Sequence, residues 1–343
     1  MSARSLLAFT LTATVGWCGS ELRAEGNVLS SMTEAVQAVF TNTKASVVKI
    51  RANDKHGRCV GSGFFIDPNG TIYTTYAVAG DSEDITVESS GKTYTAKRLL
   101  ADARSGIALL KVDASTSFLP IGRSADLTIA SPVITVGYPM DLPITPTLGF
   151  VAGFDLEYLR RYFTTTHIRA NVSVQRGESG APLINTKGEV VGILISGIDG
   201  GSACYALPIE AAEKVRSDYV RYGEVKHGWI GITVSRSESA KEGSSALVDQ
   251  LGPETPAAHS GIQKGDTLVR IGRVIVSKPE DVLNGSFFLT AGEETPVEVI
   301  RDGQRMSFNV PSMEHPASEK LRASRSISKS SFGEGLSIIN RTD

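Results

Sequence analysis

Short apolar runs, separated by glycine, proline, asparagine and aspartate, fill the chain from residue 47 to residue 207. Runs of this length between turn residues predict β-strands. Eleven of them in close succession are typical of an antiparallel sandwich or a pair of barrels, so the sequence predicts a mainly all-β fold. The runs are Val47–Ala52, Gly61–Asp67, Ile72–Val78, Asp84–Glu88, Tyr94–Leu100, Ile107–Val112, Pro132–Gly137, Leu148–Phe154, Phe163–Val174, Gly188–Ser196 and Ala203–Leu207.

Two segments have a helical pattern instead. Ser31-Met-Thr-Glu34 matches a capping box and predicts that a short helix begins there. A second helix is predicted from Pro208 to Gly223, because glycine suits the left-handed residue that follows a helix. The apolar face of the first helix comprises Met32, Val36, Val39 and Phe40.

Composition narrows the class of protein. The 343 residues are enough for two domains. The chain contains 34 glycines, roughly a tenth of all residues against about 7% in average proteins, which favours tight turns over long helical bundles. Lys and Arg number 35 against 37 Asp and Glu, so the net charge of −2 gives no general field for nucleic acid or an anionic membrane.

The first 24 residues have the layout of a secretory signal peptide. Arg4 supplies an early positive charge, an apolar run extends from Leu6 to Trp17, and small residues follow up to Ala24. Cleavage is expected after Ala24, with Ser20 as the alternative site. The apolar run is shorter than the roughly 20 residues that cross a bilayer, so export without stable membrane insertion is expected. An uncleaved anchor stays open as an alternative.

Two cysteines, Cys59 and Cys204, remain after the signal segment. In an exported protein they could form a disulfide, but each lies in an apolar run where a free cysteine also fits, so both states stay open. The sequence has no Cys-x-x-Cys motif and no histidine cluster. It therefore implies neither a metal site nor a cofactor.

The motif that could take part in catalysis is Gly177-Glu-Ser-Gly-Ala-Pro182. A serine between glycines in a tight turn is a common setting for a nucleophile. The glycines allow the backbone to bend so that the N–H groups of Gly177 and Ser179 converge and form an oxyanion hole. The alternative is an ordinary glycine-proline turn.

Other motifs surround this turn in a characteristic order, and together they resemble the HtrA (Deg) branch of the trypsin-like serine proteases. The resemblance covers about residues 30–312. It implies two packed β-barrels, a C-terminal PDZ domain, frequent trimerisation and a bacterial periplasmic or secreted location. The motifs are Gly61–Ile66, Thr74–Val78, Ile107–Lys111, Gly177–Leu183, Cys204–Ile209, Gly228–Ile232 and Pro256–Leu268. The expected divisions are a signal peptide (1–24), a protease-like domain (25–225), a PDZ domain (228–312) and a disordered Ser-rich tail (313–343).

Two positions depart from the family pattern. The stretch that supplies the general-base histidine places Ala77 there, and Gly106 stands where the orienting aspartate is expected. Ser179 alone of the implied triad remains. A serine hydroxyl needs a base within hydrogen-bond reach, and losing that base typically lowers turnover by about 10⁶-fold. The sequence therefore predicts an inactive protease.

A substitute base would have to come from elsewhere in the chain. His56 and His167 lie in the predicted strands, but both are away from the expected histidine position, and a relocated base stays open. Asp102 could act as a shifted acid, although a solvated turn residue is the preferred interpretation. Ala181, in place of a second glycine after Ser179, also suggests relaxed demands on the turn. The remaining histidines are His227, His259 and His315.

The C-terminal module is expected to bind peptide ends. Trp229-Ile-Gly-Ile232 resembles the carboxylate-binding loop of HtrA-type PDZ domains, which implies that Ile230 and Ile232 line the pocket for the last side chain of a ligand. The loop glycine is Gly231. A capping box at Ser277–Glu280 predicts a helix to about Leu289 that forms the other wall of the groove. Val282 on that helix is a pocket candidate. The alternative is that Trp229 and both isoleucines belong to the core.

The sequence thus predicts an exported, HtrA-like pseudoprotease. It is expected to bind peptide C-termini or unfolded protein segments through its cleft and its PDZ groove without cutting them, and to form a homotrimer. The alternative is an active endopeptidase that uses Ser179 with a non-standard base.

Overall fold

The structure is a computed structural model that describes residues 19–55, 57–159, 161–241 and 243–314. Most of the predicted signal peptide and of the predicted tail lies outside these residues. The described part is mostly β, as the apolar runs predict. No helix within it is long and apolar enough to cross a membrane.

The first half of the protease-like region is one antiparallel sheet. Its strands follow the order β5-β4-β1-β2-β3-β7-β6, an open hydrogen-bonded path rather than the closed barrel that the family resemblance implies. Apolar residues from β1, β2 and β7 pack inside it. The strands are β1 (Val47–Asp54), β2 (Gly57–Phe65), β3 (Thr71–Thr75), β4 (Asp84–Ser89), β5 (Lys92–Thr95), β6 (Lys97–Asp102) and β7 (Ile107–Lys111).

The second half is a closed barrel. Six strands pair in the order β10-β13-β12-β11-β8-β9, and their inward side chains form a separate core. Its strands are β8 (Pro132–Gly137), β9 (Thr145–Tyr158), β10 (Arg161–Ala170), β11 (Pro182–Ile184), β12 (Val190–Ile198) and β13 (Ala203–Pro208). The helix α3 (Ile209–Tyr222) follows and ends at Gly223, whose φ of 75° confirms the predicted left-handed cap.

Three local predictions were wrong. The first helix, α1 (Gly19–Thr43), begins well before the predicted capping box. Its predicted apolar face nevertheless packs on the core through Val39, with Val36 and Phe40 beside it. The predicted strand Ile72–Val78 ends early in a one-turn helix, α2 (Tyr76–Ala79), and the run Tyr94–Leu100 is divided between two strands.

The C-terminal module is a second antiparallel sheet with the strand order β15-β16-β17-β19-β20 and its own apolar core. The strand β15 forms one edge of this sheet, and β18 pairs with β17. The elements are β14 (Gly228–Trp229), β15 (Ile232–Lys241), β16 (Ser244–Leu251), α4 (Pro256–His259), β17 (Thr267–Ile271), β18 (Val274–Ile275), α5 (Asp281–Phe287), β19 (Glu294–Arg301), β20 (Gln304–Pro311) and β21 (Met313–Glu314).

The two modules are packed against each other through α5 and β10. Asn284 Oδ1 accepts hydrogen bonds from the Thr165 hydroxyl at 2.5 Å and from the Thr166 N–H at 3.2 Å. These threonines lie where the pairing of β10 with β9 is irregular, so their polar groups are available to another element. Phe287 is fully buried in the core cluster that also contains β7 and α3 residues. The C-terminal module is thus fixed to the barrel by apolar and polar contacts together.

Candidate functional site: a serine turn without a base

The Ser179 turn depends on glycines in conformations that other residues adopt rarely. Gly177 has φ of 93°, and a Cβ there would clash with the Tyr138 carbonyl oxygen. Gly180 has φ of 88°, and a Cβ there would clash with the Ser62 carbonyl oxygen. Both positions therefore require glycine, which explains the motif in terms of space as well as backbone angle.

The first sheet holds this turn in place. The Ser62 hydroxyl donates to the Gly177 carbonyl at 2.8 Å and accepts from the Tyr138 N–H at 3.1 Å. The Ser62 N–H donates to the Ser179 carbonyl at 2.9 Å. Among the described residues, the N–H groups of Gly177 and Ser179 donate no hydrogen bond. Two unused amides in an anchored turn suit an acceptor oxygen of a bound peptide.

Among the described residues, the Ser179 hydroxyl forms no hydrogen bond with a base. It lies 2.9 Å from the Thr75 hydroxyl, and Ser179 is only 2% exposed. Two hydroxyl groups can share a hydrogen bond, but neither accepts a proton at neutral pH. Ala77 lies on α2 with an exposed methyl group, two residues after Thr75. The described residues therefore keep a serine at the nucleophile position and place no general base in contact with it.

Gly106 is part of a hydrogen-bonded turn. Its φ is 77°, its N–H donates to the Asp102 carbonyl, and its carbonyl accepts from the Tyr76 N–H at 2.7 Å. A Cβ on Gly106 would lie 3.8 Å from the Ile195 Cδ1 atom. An aspartate at this position would be strained by its backbone angle, although the 3.8 Å distance is an ordinary van der Waals contact. The local structure thus suits glycine.

Asp102 is buried, which contradicts its assignment as a solvated turn residue. One carboxylate oxygen accepts from the Ser105 N–H at 3.0 Å, and the other lies 3.1 Å from Nε2 of His227 in the C-terminal module. Burial alone would raise the pKa of Asp102, but hydrogen bonds from His227 and Ser105 and the charge of His227 outweigh it and lower the pKa to about 2. This carboxylate joins the two modules rather than orienting a catalytic histidine.

None of the three histidines in the described residues bonds to Ser179. His167 lies on β10, as predicted, and is stacked on Phe163 with ring centroids 4.2 Å apart. Burial lowers the pKa of His167 to about 4, despite the hydrogen bond to the Thr165 carbonyl. His259 contacts the Thr255 carbonyl in the C-terminal module. His56 and His315 lie outside the described residues.

Glu178 was not singled out from the sequence, yet it is the most perturbed carboxyl group near the turn. It is 2% exposed, and burial raises its pKa to about 7, although the Gln175 N–H donates to Oε2 at 2.7 Å. The Oε1 atom has no hydrogen-bond partner among the described residues. A buried carboxyl group directly before the serine could have been noticed only through its position in the motif.

The loop that contacts the turn is also held by charges. The Met140 N–H donates to the Arg176 carbonyl at 2.5 Å, and Met140 and Asp141 both have positive φ, at 50° and 62°. The Asp141 carboxylate contacts Lys49 Nζ at 2.9 Å and Arg51 Nη2 at 3.0 Å, both on β1. These ion pairs fix a strained loop across the boundary between the two sheets.

The loop that was predicted to bind a peptide carboxylate precedes β15 in the C-terminal module. Gly231 has φ of 81°, and a Cβ there would clash with the Thr255 side chain, so this loop position requires glycine. Among the described residues, the N–H groups of Ile230 and Gly231 donate no hydrogen bond. Ile232 and Val282 are half-buried against the domain core, and their role in a ligand pocket stays a prediction. Ile230 is 4% exposed and belongs to the core, and Trp229 lies in β14, paired with β21.

The helix of this groove is shorter than predicted. It begins at Asp281 rather than at the predicted capping box, because the Asp281 carboxylate accepts from the N–H groups of Ser277 and Lys278. Glu280 does not bond back to Ser277. Instead, its two carboxylate oxygens lie 2.6 and 2.9 Å from Nη2 of Arg236 on β15. The helix ends at Phe287, whose ring is buried against the barrel.

Cys59 and Cys204 lie on different sheets and do not form a disulfide with each other. Cys59 lies on β2 and Cys204 on β13, and both are buried thiols that are not joined to each other. Burial raises the pKa of Cys204 to about 12, with a smaller contribution from Glu178. A disulfide between them is therefore not part of this structure.

Two family models match the chain. The trypsin-like peptidase domain matches residues 61–193, and the PDZ domain matches residues 228–311. A probable periplasmic serine endoprotease, described as DegP-like, from Pseudomonas fluorescens is 29% identical over 305 residues, which cover 84% of this chain and 64% of that protein. Its counterpart from Halomonas elongata is 30% identical over 283 residues, with coverages of 79% and 60%. The chain thus spans less than two thirds of the length of these relatives.

Solved structures agree on the fold. The HtrA-type protease AlgW with a tripeptide superposes with a TM-score of 0.68 at 21% identity, over 82% of this chain and 97% of that one. The serine endoprotease from Yersinia pestis gives a TM-score of 0.58 at 26% identity, over 82% and 98%. With a trypsin-like peptidase domain, a following PDZ domain and DegP-like relatives, the chain is similar to the HtrA/Deg-like proteases.

Proposed function

We propose that this protein is an exported HtrA-like pseudoprotease, which binds peptides or misfolded protein segments and does not cleave them. The proposal rests mainly on the groups that surround the Ser179 hydroxyl. Its hydrogen-bond partner is another hydroxyl, that of Thr75, and the family's histidine and aspartate positions hold Ala77 and Gly106. Peptide hydrolysis needs a proton acceptor at this point.

Two features support peptide binding in the absence of cleavage. In the cleft, the unused N–H groups of Gly177 and Ser179 can hold a carbonyl or carboxylate oxygen of a bound segment. In the PDZ domain, β15 is an edge strand next to a glycine loop with unused amides, and a peptide can add to it as a further strand. The AlgW structures contain a bound tripeptide or decapeptide, which supports the same ligand class here.

The proposed function includes export from the cytoplasm. The signal-like residues 1–24 and the periplasmic relatives support export to a periplasm or the medium.

Self-association as a homotrimer is supported by an outward apolar stripe on β9, where Leu148, Phe150 and Phe154 are 37, 38 and 41% exposed. Exposed aromatic side chains at alternate strand positions suit contact with a second copy. Light scattering of the purified protein measures the mass that this proposal requires.

An activity-based probe tests the proposal. A fluorophosphonate reacts with activated serines, so the purified protein should stay unlabelled, whereas an active HtrA-type protease in the same assay becomes labelled. Intact-mass measurement after long incubation detects a single phosphonate adduct. Labelling that disappears in Ser179→Ala would overturn the proposal.

The alternative is an active serine endopeptidase with a non-standard base. It is favoured by the retained Ser179 turn with its glycine requirements and by relatives that are named as endoproteases. This alternative requires a base to move into reach of Ser179 when substrate binds. It predicts cleavage of casein that is lost in Ser179→Ala, together with probe labelling.

A further inference from the structure

The PDZ groove carries a charged feature at the end remote from its carboxylate loop. Side chains alternate along a strand, so Ile232, Val234 and Arg236 point to the same face of β15. The two apolar residues pack towards the domain core, next to α5. Arg236 continues this face beyond the apolar part, four residues or about 13 Å from Ile232.

Arg236 bridges the two walls of the groove. Its Nη2 atom contacts both carboxylate oxygens of Glu280, the residue before α5, at 2.6 and 2.9 Å. The Arg236 side chain is 58% exposed and that of Glu280 is 26% exposed. A peptide whose C-terminus lies at the carboxylate loop and which extends along β15 must therefore pass this ion pair a few residues before its C-terminus.

The unused hydrogen-bonding groups at this point are donors. Arg236 uses only Nη2, and among the described residues its Nε and Nη1 groups donate no hydrogen bond. Lys278 adds a second positive charge close to Glu280. Of the negative groups nearby, Glu280 binds Arg236 and one oxygen of the Asp281 carboxylate accepts two backbone N–H groups, while Glu238 lies two residues further along β15. An incoming carboxylate finds free guanidinium donors, whereas an incoming ammonium must compete with Arg236 for Glu280.

We propose that Arg236 selects peptides with an acidic side chain four positions before the C-terminal residue. A strand that adds antiparallel to β15 with its last residue beside Ile232 places the third residue from the end beside Val234 and the fifth beside Arg236. Directly opposed residues on antiparallel strands point to the same face, so the fifth side chain meets the free guanidinium donors. This selectivity rests on peptide binding in the PDZ groove, which is part of the proposed function.

Fluorescence polarisation with labelled peptides tests the selectivity. The probe is Gly-Ser-Gly-Glu-Ser-Val-Ala-Val with a free C-terminus, alongside versions in which glutamine or lysine replaces the glutamate. The glutamate peptide should bind about two- to five-fold more tightly than the glutamine peptide at low salt, as expected for a solvent-exposed ion pair, and the lysine peptide more weakly than both. The preference should shrink at high salt because the charges are screened.

Variants of the full chain assign the effect to Arg236. Arg236→Gln should abolish the preference for the glutamate peptide over the glutamine peptide. Arg305→Gln is the matched control, because Arg305 is a similarly exposed arginine that pairs with Glu298 on β19. Equal affinities of the wild type for the glutamate and glutamine peptides would overturn the selectivity alone, and so would a preference that survives in Arg236→Gln. If no peptide of the series binds, peptide binding by the groove fails and the selectivity fails with it.

Discussion

Replacing Glu178 should change stability in a manner that depends on pH. Its carboxyl group is buried directly before Ser179 and has one oxygen without a hydrogen-bond partner among the described residues. Burial raises its pKa from the ordinary 4.5 to about 7 in the folded protein. The free-energy difference between these two values is about 3 kcal/mol.

The direction of this pH dependence follows from proton linkage. As pH rises from 4.5, the unfolded chain loses the Glu178 proton while the folded protein still holds it, so folding becomes less favourable. The loss is complete above about pH 7, where the folded protein contains a buried, ionised carboxylate. Glu178→Gln cannot ionise. The variant should therefore gain about 3 kcal/mol relative to the wild type when pH is raised from about 4 to about 8.

Urea unfolding at several pH values measures this difference. The free energy of unfolding is determined for the wild type, Glu178→Gln and the matched control Glu157→Gln, which replaces an exposed glutamate on β9. The difference between Glu178→Gln and the wild type should grow with pH, and the control should not follow it. A difference that is the same at low and high pH would refute the assignment of a buried, poorly solvated carboxyl group next to Ser179.

Three further predictions concern the triad positions, the domain contact and the PDZ loop. Asp102→Asn should lower the free energy of unfolding by about 2 kcal/mol above about pH 4 in urea titrations, and the effect should fade towards pH 2, because the depressed pKa of this carboxyl group is a property of the folded state. The double variant Ala77→His, Gly106→Asp should leave casein intact in a gel assay, because φ of 77° opposes an orienting aspartate; robust cleavage would show that the turn still accepts a triad. Gly231→Trp should abolish binding in a peptide array, since even a Cβ clashes with Thr255, and unchanged binding would place the peptide elsewhere.

The sequence predicted those parts of the fold that depend on local patterns. Alternating apolar runs located the strands of both protease-like sheets, and Gly223 marked the end of α3 correctly, because its left-handed angle is a local requirement. The Ser179 turn was also recognisable, since its glycines are adjacent in the chain. The family resemblance supplied the order of the domains, which the matched models confirm.

The errors arose where a side chain finds its partner far along the chain. Asp102 looked like a solvated turn residue, but its partner His227 lies 125 residues away in another domain. Glu280 fitted a capping box by spacing, yet it bonds to Arg236, 44 residues earlier. Spacing within a short motif carries no information on such contacts. The burial of Glu178 likewise became visible only once the strands around it were assembled.

Hydrolysis of an unfolded protein substrate tests the central claim most directly. Purified full-length protein is incubated with casein beside its Ser179→Ala variant and an active HtrA-type protease. Because no base contacts Ser179 among the described residues, we expect casein to stay intact with both forms of this protein and to be degraded by the active relative. Casein fragments that appear with the wild type and disappear with Ser179→Ala would contradict the account.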